Sequence, residues 1–332
     1  MKRGFWDTLE KPILALAPLA DVTDAAFRRI IAKYGKPDVM WTEFVSADGL
    51  FLGGYESLKR DLWYTEEERP IVAQFFSPDP GRMKRAAALG RELGFDGIDL
   101  NMGCPDRSVC KQGAGAAMIR TPELAREVIA AAKEGAGDLP VSVKTRAGFY
   151  SDEGLSDWIS TLLDTEPAAI TLHARTKKNM SKVPARWGLV KEAVDIRNAR
   201  ESDTLILGNG DVLTLDEAHR KVEESGADGV MIGKGIFGNP WCFNTSIDKD
   251  ALSIEERLSV CAEHTALFED LLGDEKNFNL MKKHFKAYVS GWDGAKELRN
   301  RLMEARDANE IKRVIDAYCD NMNSVASAEK EL

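Results

Sequence analysis

Eight short apolar runs, rich in β-branched residues, alternate with helical stretches over the first 233 residues of this chain. Short apolar runs bounded by turn residues predict buried strands, and helical periodicity between them predicts crossover connections. Strands that alternate with helices form a parallel sheet, and eight such units close a sheet into a (β/α)8 TIM barrel. The predicted strands are residues 13–17, 39–44, 71–75, 97–101, 141–145, 169–173, 205–209 and 229–233.

An open, doubly wound sheet is the main alternative arrangement of alternating strands and helices. A dinucleotide-binding sheet of that kind carries a Gly-x-Gly-x-x-Gly loop directly after its first strand. Here the first strand runs into Ala17-Pro18-Leu19-Ala20-Asp21, which contains no glycine. We therefore predict the closed barrel, whose active-site loops lie at the C-terminal ends of the strands.

Helical periodicity also continues after the strand pattern has ended at Pro240. Between the strands, helices are predicted at residues 25–34, 80–93, 124–133, 155–163, 189–196 and 214–224. Beyond Pro240, helices are predicted at residues 254–272, 279–289, 296–305 and 311–319. The sequence thus predicts a barrel domain at residues 1–245, a small helical domain at 250–323 and a polar tail at 324–332.

The predicted helical domain has an uneven charge distribution. Residues 255–275 are strongly acidic, whereas basic residues gather later in the domain. They are Lys282, Lys283, Lys286, Lys296, Arg299, Arg301, Arg306, Lys312 and Arg313. Such a group is either an ordinary solvated helix surface or a surface that contacts a phosphate backbone.

The composition argues against several classes of protein. A net charge of −9 and a pI near 5.2 argue against binding of nucleic acid by bulk charge, so a nucleic-acid partner would need a local basic patch. The 5 cysteines form no Cys-x-x-Cys pair, so neither a metal site nor a disulfide framework is expected. No apolar run is long enough for a membrane span, and the first residues lack a signal-peptide core, so we expect a cytoplasmic protein.

Polar residues occur at the C-terminal end of nearly every predicted strand, where a barrel enzyme assembles its active site. The fourth strand ends in Asp99 and Asn101, which share one face, and Cys104 follows between Gly103 and Pro105. A thiol on such a tight turn can serve as a nucleophile or a proton donor. The alternative is a small buried apolar side chain, which is the common role of a free cysteine.

The fifth and sixth strands each end in two cationic or titratable residues. Lys144 and Arg146 alternate on the fifth strand, and His173 and Arg175 repeat this pattern on the sixth. Period-two alternation directs both members of each pair to the same side, and neighbouring buried cations are costly without an anion between them. The pattern favours a bound anionic ring system, and a Schiff-base role for Lys144 is the alternative.

Glycines follow the last two strands, where a barrel customarily binds phosphate. The seventh strand runs into Asn209-Gly210-Asp211, and the eighth is followed by Gly233 and Lys234. Glycines let backbone N–H groups approach a phosphate closely, and a lysine adds a positive charge. The sequence predicts a phosphate or FMN phosphate site here.

With these motifs in this order, the chain resembles the tRNA-dihydrouridine synthase family over nearly its full length. The matching stretches are residues 17–24 with Phe27 and Arg28, 73–76, 101–105, 143–146, 173–176, 208–211, 233–240 and a Gly291-x-x-Gly294-Ala295-x-x-x-Arg299 segment. Two matches are substituted relative to the common family pattern: Leu19 stands where methionine is usual, and Lys234 replaces an arginine. The loop at residues 177–187 also departs from it.

The resemblance implies an FMN cofactor at the barrel mouth and assigns roles to individual residues. The flavin would lie near Pro18, Leu19, Ala20 and Gln74, with Lys144 and His173 in contact with it. Its phosphate would be held by Asn209, Gly210, Asp211, Gly233 and Lys234. Asn101, Arg146 and Arg175 would face the substrate uracil or its phosphates.

The resemblance also implies a reaction. In the family, NADPH or NADH reduces the flavin, a hydride passes to C6 of a tRNA uracil, and a cysteine protonates C5. Cys104 takes the cysteine's role here, and the helical domain would bind tRNA. Three alternatives remain open: a barrel flavin dehydrogenase acting on a small metabolite such as a dihydropyrimidine, a flavin-free lyase using Lys144, and a non-catalytic RNA-binding module.

Overall fold

The computed structural model describes residues 3–330, with side chains described as far as residue 324, and contains eight parallel strands. They are β1 (Ile13–Leu16), β2 (Met40–Ser46), β3 (Ile71–Phe76), β4 (Gly97–Met102), β5 (Val141–Gly148), β6 (Ala169–Thr176), β7 (Leu205–Asn209) and β8 (Gly229–Ile232). The strand order is β1-β8-β7-β6-β5-β4-β3-β2. All eight predicted strands are confirmed, with boundaries that differ by a few residues.

Contacts between β1 and the segment that leads into β2 close the sheet into a barrel. Ala15 and Val39 form a parallel bridge. The Leu16 N–H donates to the Val39 carbonyl at 3.0 Å, and the Asp38 N–H donates to the Leu14 carbonyl at 2.9 Å. The predicted TIM barrel is therefore confirmed, and the open-sheet alternative is wrong.

The helices include all those that the periodicity predicts. They are α1 (Ala25–Tyr34), α2 (Ala47–Gly49), α3 (Tyr55–Leu58), α4 (Pro80–Glu92), α5 (Arg107–Lys111), α6 (Pro122–Ala136), α7 (Leu155–Leu163), α8 (Gly188–Ala199), α9 (Leu215–Ser225), α10 (Ile254–Leu272), α11 (Lys282–Tyr288), α12 (Ala295–Glu304) and α13 (Ala308–Lys330). The sequence reasoning missed α2, α3 and α5, which are too short to show a full helical period.

The chain folds into two compact units. The first comprises Met1–Thr23 and Pro37–Gly235, and the second comprises Asp24–Lys36 and Ile236–Leu332. The second unit thus includes α1, which the sequence-based boundaries place with the barrel. Most of the predicted polar tail at 324–332 falls on α13, and its last two residues lie outside the described residues.

In the first unit, the buried side chains of the strands change from apolar to polar along the strand direction. Buried apolar side chains such as Ile13, Val39 and Leu205 form a core cluster towards the strand starts. At those starts, three aspartates each accept a hydrogen bond from a neighbouring strand's N–H: Asp38 from Leu14 at 2.7 Å, Asp96 from Ile71 at 2.8 Å and Asp228 from Ile206 at 2.8 Å. Buried polar side chains concentrate at the opposite ends, which position the site.

In the second unit, α1 packs against α10 and α10 against α13. Ser253 and Glu256 form a capping box that begins α10, which satisfies backbone N–H groups that the helix leaves free. Phe27 of α1 stacks on His264 of α10, with ring centroids 4.8 Å apart. In the described part of the chain, no helix is long and apolar enough to span a membrane.

Candidate active site

Cys104 lies in the loop after β4, and the side chain of Asn101 holds its backbone. Asn101 Oδ1 accepts hydrogen bonds from the N–H groups of Cys104, at 2.8 Å, and Gly103, at 3.1 Å. The Cys104 carbonyl accepts from the Ala116 N–H at 3.0 Å, so both sides of the residue are fixed. Burial raises the pKa of the Cys104 thiol above 9.0, and the side chain is therefore protonated at neutral pH.

A line of buried hydrogen bonds connects Asn101 to the neighbouring strands. Asn101 Nδ2 donates to Gln74 Oε1 at 3.0 Å, and Gln74 Nε2 donates to Asp99 Oδ2 at 2.6 Å. Ser142 Oγ donates to Asp99 Oδ1 at 2.5 Å. Gln74 on β3 and Ser142 on β5 are both in register with Asp99, so the three side chains point to the same side of the sheet.

Lys144 and His173 occupy the neighbouring strands β5 and β6. Lys144 Nζ donates to Asn209 Oδ1 at 3.2 Å, and Asn209 Nδ2 donates to the Met231 carbonyl at 2.7 Å. Burial, reinforced by the charge of Arg146, lowers the pKa of Lys144 to about 8. Burial and the surrounding cations lower the pKa of His173 to about 2, so its ring is neutral.

Asp211 joins two cations beside His173. Its carboxylate pairs with Arg175 and accepts from Lys234 Nζ at 2.5 Å. Burial opposes ionisation of Asp211, but hydrogen bonds from Lys234 and the Ala185 N–H and the charge of Arg175 lower its pKa below the ordinary value. Arg175 Nη1 lies 3.1 Å from His173 Nε2. Since a guanidinium only donates, Nε2 is the acceptor and Nδ1 carries the ring proton.

Arg146 links the Cys104 loop to the loop that follows β6. Its Nε donates to the Gly103 carbonyl at 2.8 Å, and its Nη1 donates to the carbonyls of Met180 at 3.1 Å and Thr176 at 3.3 Å. Arg146 is only 8% exposed, and burial lowers its pKa to about 10. A buried guanidinium whose nearest partners are neutral carbonyls keeps its charge available for an anionic ligand.

Two glycines, Gly208 and Gly210, lie where neighbouring side chains come too close to the backbone for a Cβ to fit. Gly210 has a φ of +125°, and a Cβ there would lie 2.8 Å from Ala185 Cβ and 3.2 Å from His173 Cδ2. A Cβ at Gly208 would lie 2.2 Å from the ring of Trp187, whose Nε1 donates to the Gly210 carbonyl at 2.9 Å. A larger residue at Gly208 would clash with the Trp187 ring, and one at Gly210 would clash with Ala185.

The loop after β1 lies at the same end of the barrel. It contains Pro18, Leu19 and Ala20, and Thr23 fixes it because Thr23 Oγ1 accepts from the Leu19 N–H at 2.9 Å. A Cβ at Gly233 would lie 3.8 Å from the Leu19 side chain, so the loops after β1 and β8 adjoin.

The structure thus brings the predicted residues together as linked groups at the C-terminal strand ends. The sequence reasoning did not assign Asp99, Ser142 or Trp187 to the site. Ser142 lies two positions before Lys144 on one strand, and this period-two spacing was an available signal. Trp187 carried no such signal, because its role depends on the fold of the loop after β6. Among the described residues, no group of three or more His, Cys, Asp or Glu side chains is placed to hold a metal ion.

Comparisons with known structures concern the fold. The chain resembles the histamine dehydrogenase from Rhizobium sp. 4-9, with a TM-score of 0.53 and 15% identity, over 76% of this chain and 48% of that one. It also resembles a 2-naphthoyl-CoA reductase, with a TM-score of 0.53 and 11% identity, over 70% of this chain and 49% of that one. The chain spans about half the length of these two proteins.

Comparisons with sequences are more specific. A family model described as "Dihydrouridine synthase (Dus)" matches residues 15–323. A "Probable tRNA-dihydrouridine synthase" of Staphylococcus epidermidis is 37% identical over 326 residues, which are 98% of this chain and 99% of the relative. A "Probable tRNA-dihydrouridine synthase 2" of Bacillus subtilis is 37% identical over 320 residues, 96% of this chain and 97% of the relative. By these matches, the chain belongs to the dihydrouridine synthase family.

Proposed function

We propose that this protein is an FMN-dependent tRNA-dihydrouridine synthase, which reduces the C5–C6 double bond of a uridine in tRNA. A hydride added at C6 and a proton added at C5 together saturate the bond. NADPH or NADH would be the source of the reducing equivalents, and Cys104 would supply the proton. A tRNA substrate would place the protein in the cytoplasm.

The observation that carries the proposal is the crowding of positive charge at the strand ends. Burial and the charge of Arg146 lower the pKa of Lys144. The pKa of His173 falls to about 2, chiefly through burial and secondarily through Arg146, Lys144, Arg175 and Lys234. Cationic groups placed this close together in a buried site favour a bound anion. A flavin with a phosphate group and a reduced ring that bears negative charge fits such a set of donors.

The residues proposed to hold FMN separate into two groups. Lys144, neutral His173 and Gln74, with the loop that contains Pro18, Leu19 and Ala20, would contact the isoalloxazine ring. The phosphate would lie against Asn209, Gly210, Gly233 and Lys234, with Asp211 keeping Lys234 in place through its ion pair. When bound, the flavin would supply the hydride for C6.

Cys104 suits the role of proton donor because of its environment. A thiol whose pKa lies above 9.0 holds its proton at neutral pH, whereas a nucleophilic cysteine needs a lowered pKa. The Cys104 N–H donates to Asn101 Oδ1, which fixes the backbone, so the thiol is presented from a defined position. Asn101, Arg146 and Arg175 would orient the uracil or hold its phosphates.

Exposed groups on the first unit support an RNA substrate. Residues 177–187 contain four basic residues and no acidic residue, although the whole chain carries a net charge of −9. Tyr150, which follows β5, is 66% exposed, and its ring lies 4.6 Å from that of the buried Phe149. Cations beside an exposed aromatic ring suit a nucleic-acid strand, since the phosphates meet the cations and a base can stack on the ring. The basic residues of the helical unit would add further phosphate contacts.

The experiment compares Cys104→Ala with Cys110→Ala. Cys110, on α5, donates its thiol to the Cys104 carbonyl at 3.5 Å and makes a matched control close to Cys104. We expect both variants to be purified with bound FMN, visible in the absorption spectrum. Loss of a general acid should lower the rate of dihydrouridine formation in tRNA roughly 10²- to 10⁴-fold in Cys104→Ala alone. Full activity of Cys104→Ala, or wild-type protein that is colourless and does not take up FMN, contradicts the proposal.

A further inference from the structure

The hydrogen bonds between Asp99 and the Cys104 loop have one direction, which is set at both ends: by backbone N–H groups that can only donate and by a carboxylate whose two oxygens both accept. Burial raises the pKa of Asp99 to about 6, with Ser142, Gln74 and Lys144 opposing the rise. Both Asp99 oxygens accept hydrogen bonds, from Ser142 Oγ and Gln74 Nε2, and a carboxylate that accepts at both oxygens donates to neither partner. Each group that faces it must donate.

The same restriction on donors and acceptors applies in turn to the side-chain amides of Gln74 and Asn101. Gln74 must turn its Nε2 towards Asp99, so its Oε1 faces Asn101. Asn101 must then turn Nδ2 towards Gln74, so its Oδ1 faces the N–H groups of Gly103 and Cys104. Reversal of either amide would place two oxygens or two N–H groups against each other. A buried unsatisfied polar group is costly, so Asp99 at one end and the two backbone N–H groups at the other together hold both amides in one orientation.

Ser142 completes the arrangement on the other side of Asp99. Its hydroxyl donates to Asp99 Oδ1 at 2.5 Å, while Gln74 donates to Oδ2 at 2.6 Å, so both carboxylate oxygens are engaged. Asp99 is 1% exposed and Gln74 is fully buried, which leaves no room for bulk water to replace either bond. The carboxylate cannot rotate without breaking one of the two.

We propose that Asp99 and Ser142 are positioning residues, which act through Gln74 and Asn101 to hold Gly103 and Cys104 at the place from which the thiol reacts. The reaction that this positioning serves rests on the proposed function. The positioning itself is a property of the protein alone and can be measured without any substrate.

The test is the isosteric substitution Asp99→Asn, which replaces one of the two accepting oxygens with a donor and so weakens the Asp99 end of the hydrogen-bonded line. In the purified protein, amide hydrogen exchange resolved to single residues should speed up at Gly103 and Cys104 on the order of 5-fold, as expected when a hydrogen bond of ordinary strength is weakened. Dihydrouridine formation should show kcat lowered roughly 10- to 100-fold, with KM for tRNA changed by less than about 2-fold, because misplacement of a reacting group affects the chemical step.

Two further variants separate positioning from general loss of stability. Asp228→Asn alters a buried aspartate at the opposite strand ends, and it should leave exchange at Gly103 and Cys104 unchanged. Ser142→Ala removes the donor to Asp99 Oδ1 and lets the carboxylate rotate, so it should give the same changes as Asp99→Asn at smaller size. It provides the measurement if Asp99→Asn does not fold.

Unchanged exchange at Gly103 and Cys104 in both Asp99→Asn and Ser142→Ala would overturn the inference. Equal acceleration in Asp228→Asn would also overturn it, because the effect would then be general. If the variants show faster exchange at these two amides but the wild-type protein never reduces tRNA, the positioning role is supported and the proposed function is contradicted. The two proposals can therefore fail separately.

Discussion

Replacement of Lys144 with methionine should stabilise the ligand-free protein while weakening its binding of FMN. The two effects have one cause, the burial of an amine among other cations. Methionine has a similar length and flexibility, and as an apolar side chain it suits a buried position. The Lys144→Met variant therefore removes the charge with little change in packing.

The size of the stability effect follows from the pKa. Lys144 has an ordinary pKa of 10.5, and in the folded protein it falls to about 8. At about 1.4 kcal/mol for each pH unit, protonated Lys144 costs the folded state about 3 kcal/mol at neutral pH. Loss of the hydrogen bond to Asn209 offsets about 1 kcal/mol. The net gain for Lys144→Met is about 2 kcal/mol, or roughly 4 °C in the unfolding midpoint.

The stability difference between Lys144→Met and the wild-type protein should depend on pH in a defined direction. Between about pH 8 and 10.5 the unfolded chain binds more protons at Lys144 than the folded protein does, so the wild-type protein gains stability as the pH rises through that window. The advantage of Lys144→Met is therefore complete below pH 8 and fades towards pH 10.5. Urea unfolding of ligand-free protein at pH 7 and at pH 10 measures both values.

Binding of FMN should change in the opposite direction. Loss of one charge-assisted contact with an anionic group, worth about 1.5 to 3 kcal/mol, should weaken FMN binding roughly 10- to 150-fold. Fluorescence titration of ligand-free protein with FMN gives this value. If Lys144→Met is less stable than wild type at pH 7, or if its advantage persists at pH 10, the reasoning about the buried amine is wrong.

Three further predictions concern other parts of the chain. Gly210→Ala should lower the free energy of unfolding by about 1 to 3 kcal/mol, because a φ of +125° is strained for alanine and the new Cβ would lie 2.8 Å from Ala185. The control is Gly154→Ala, whose Cβ meets no atom within 4 Å. It should be nearly neutral in the same urea unfolding assay. Ser253→Ala should cost about 1 kcal/mol through loss of the α10 cap, measured by thermal unfolding; an unchanged midpoint would contradict this. Tyr150→Ala should raise KM for tRNA roughly 5- to 100-fold through loss of base stacking, while Tyr150→Phe, which keeps the ring, should not; equal effects would exclude stacking.

Periodicity was sufficient to predict the barrel, since strands and long helices each repeat a local pattern. The helix predicted at 254–272 matches α10, and that predicted at 25–34 matches α1. Packing of α1 was not predictable in the same way. Its apolar face would suit a barrel surface equally well, and its contact with His264 depends on residues more than 200 positions away.

The residues of the candidate site were also predictable from the sequence only in part. Cys104, Lys144 and His173 were predictable because strand-end position and residue type are both visible in the sequence. Hydrogen-bond direction was not, because it depends on which buried group is ionised, and this is decided by burial and by neighbours on other strands. Asp99 illustrates the point: the sequence places it on the face of Asn101 but does not show that Gln74 and Ser142 both donate to it.

The site combines two opposite electrostatic environments, and this contrast bears on the proposed chemistry. On β5 the buried cations of Lys144 and Arg146 contact neutral oxygen atoms, and this arrangement favours an anion such as a reduced flavin. On β4 the surroundings keep the Cys104 thiol neutral, although Arg146 lies close enough to oppose this. Burial is the larger effect there, so the proton stays on sulfur. An enzyme that adds hydride and proton to one double bond needs both conditions at once, a site that stabilises negative charge on the reductant and an acid that does not lose its proton to the same cations.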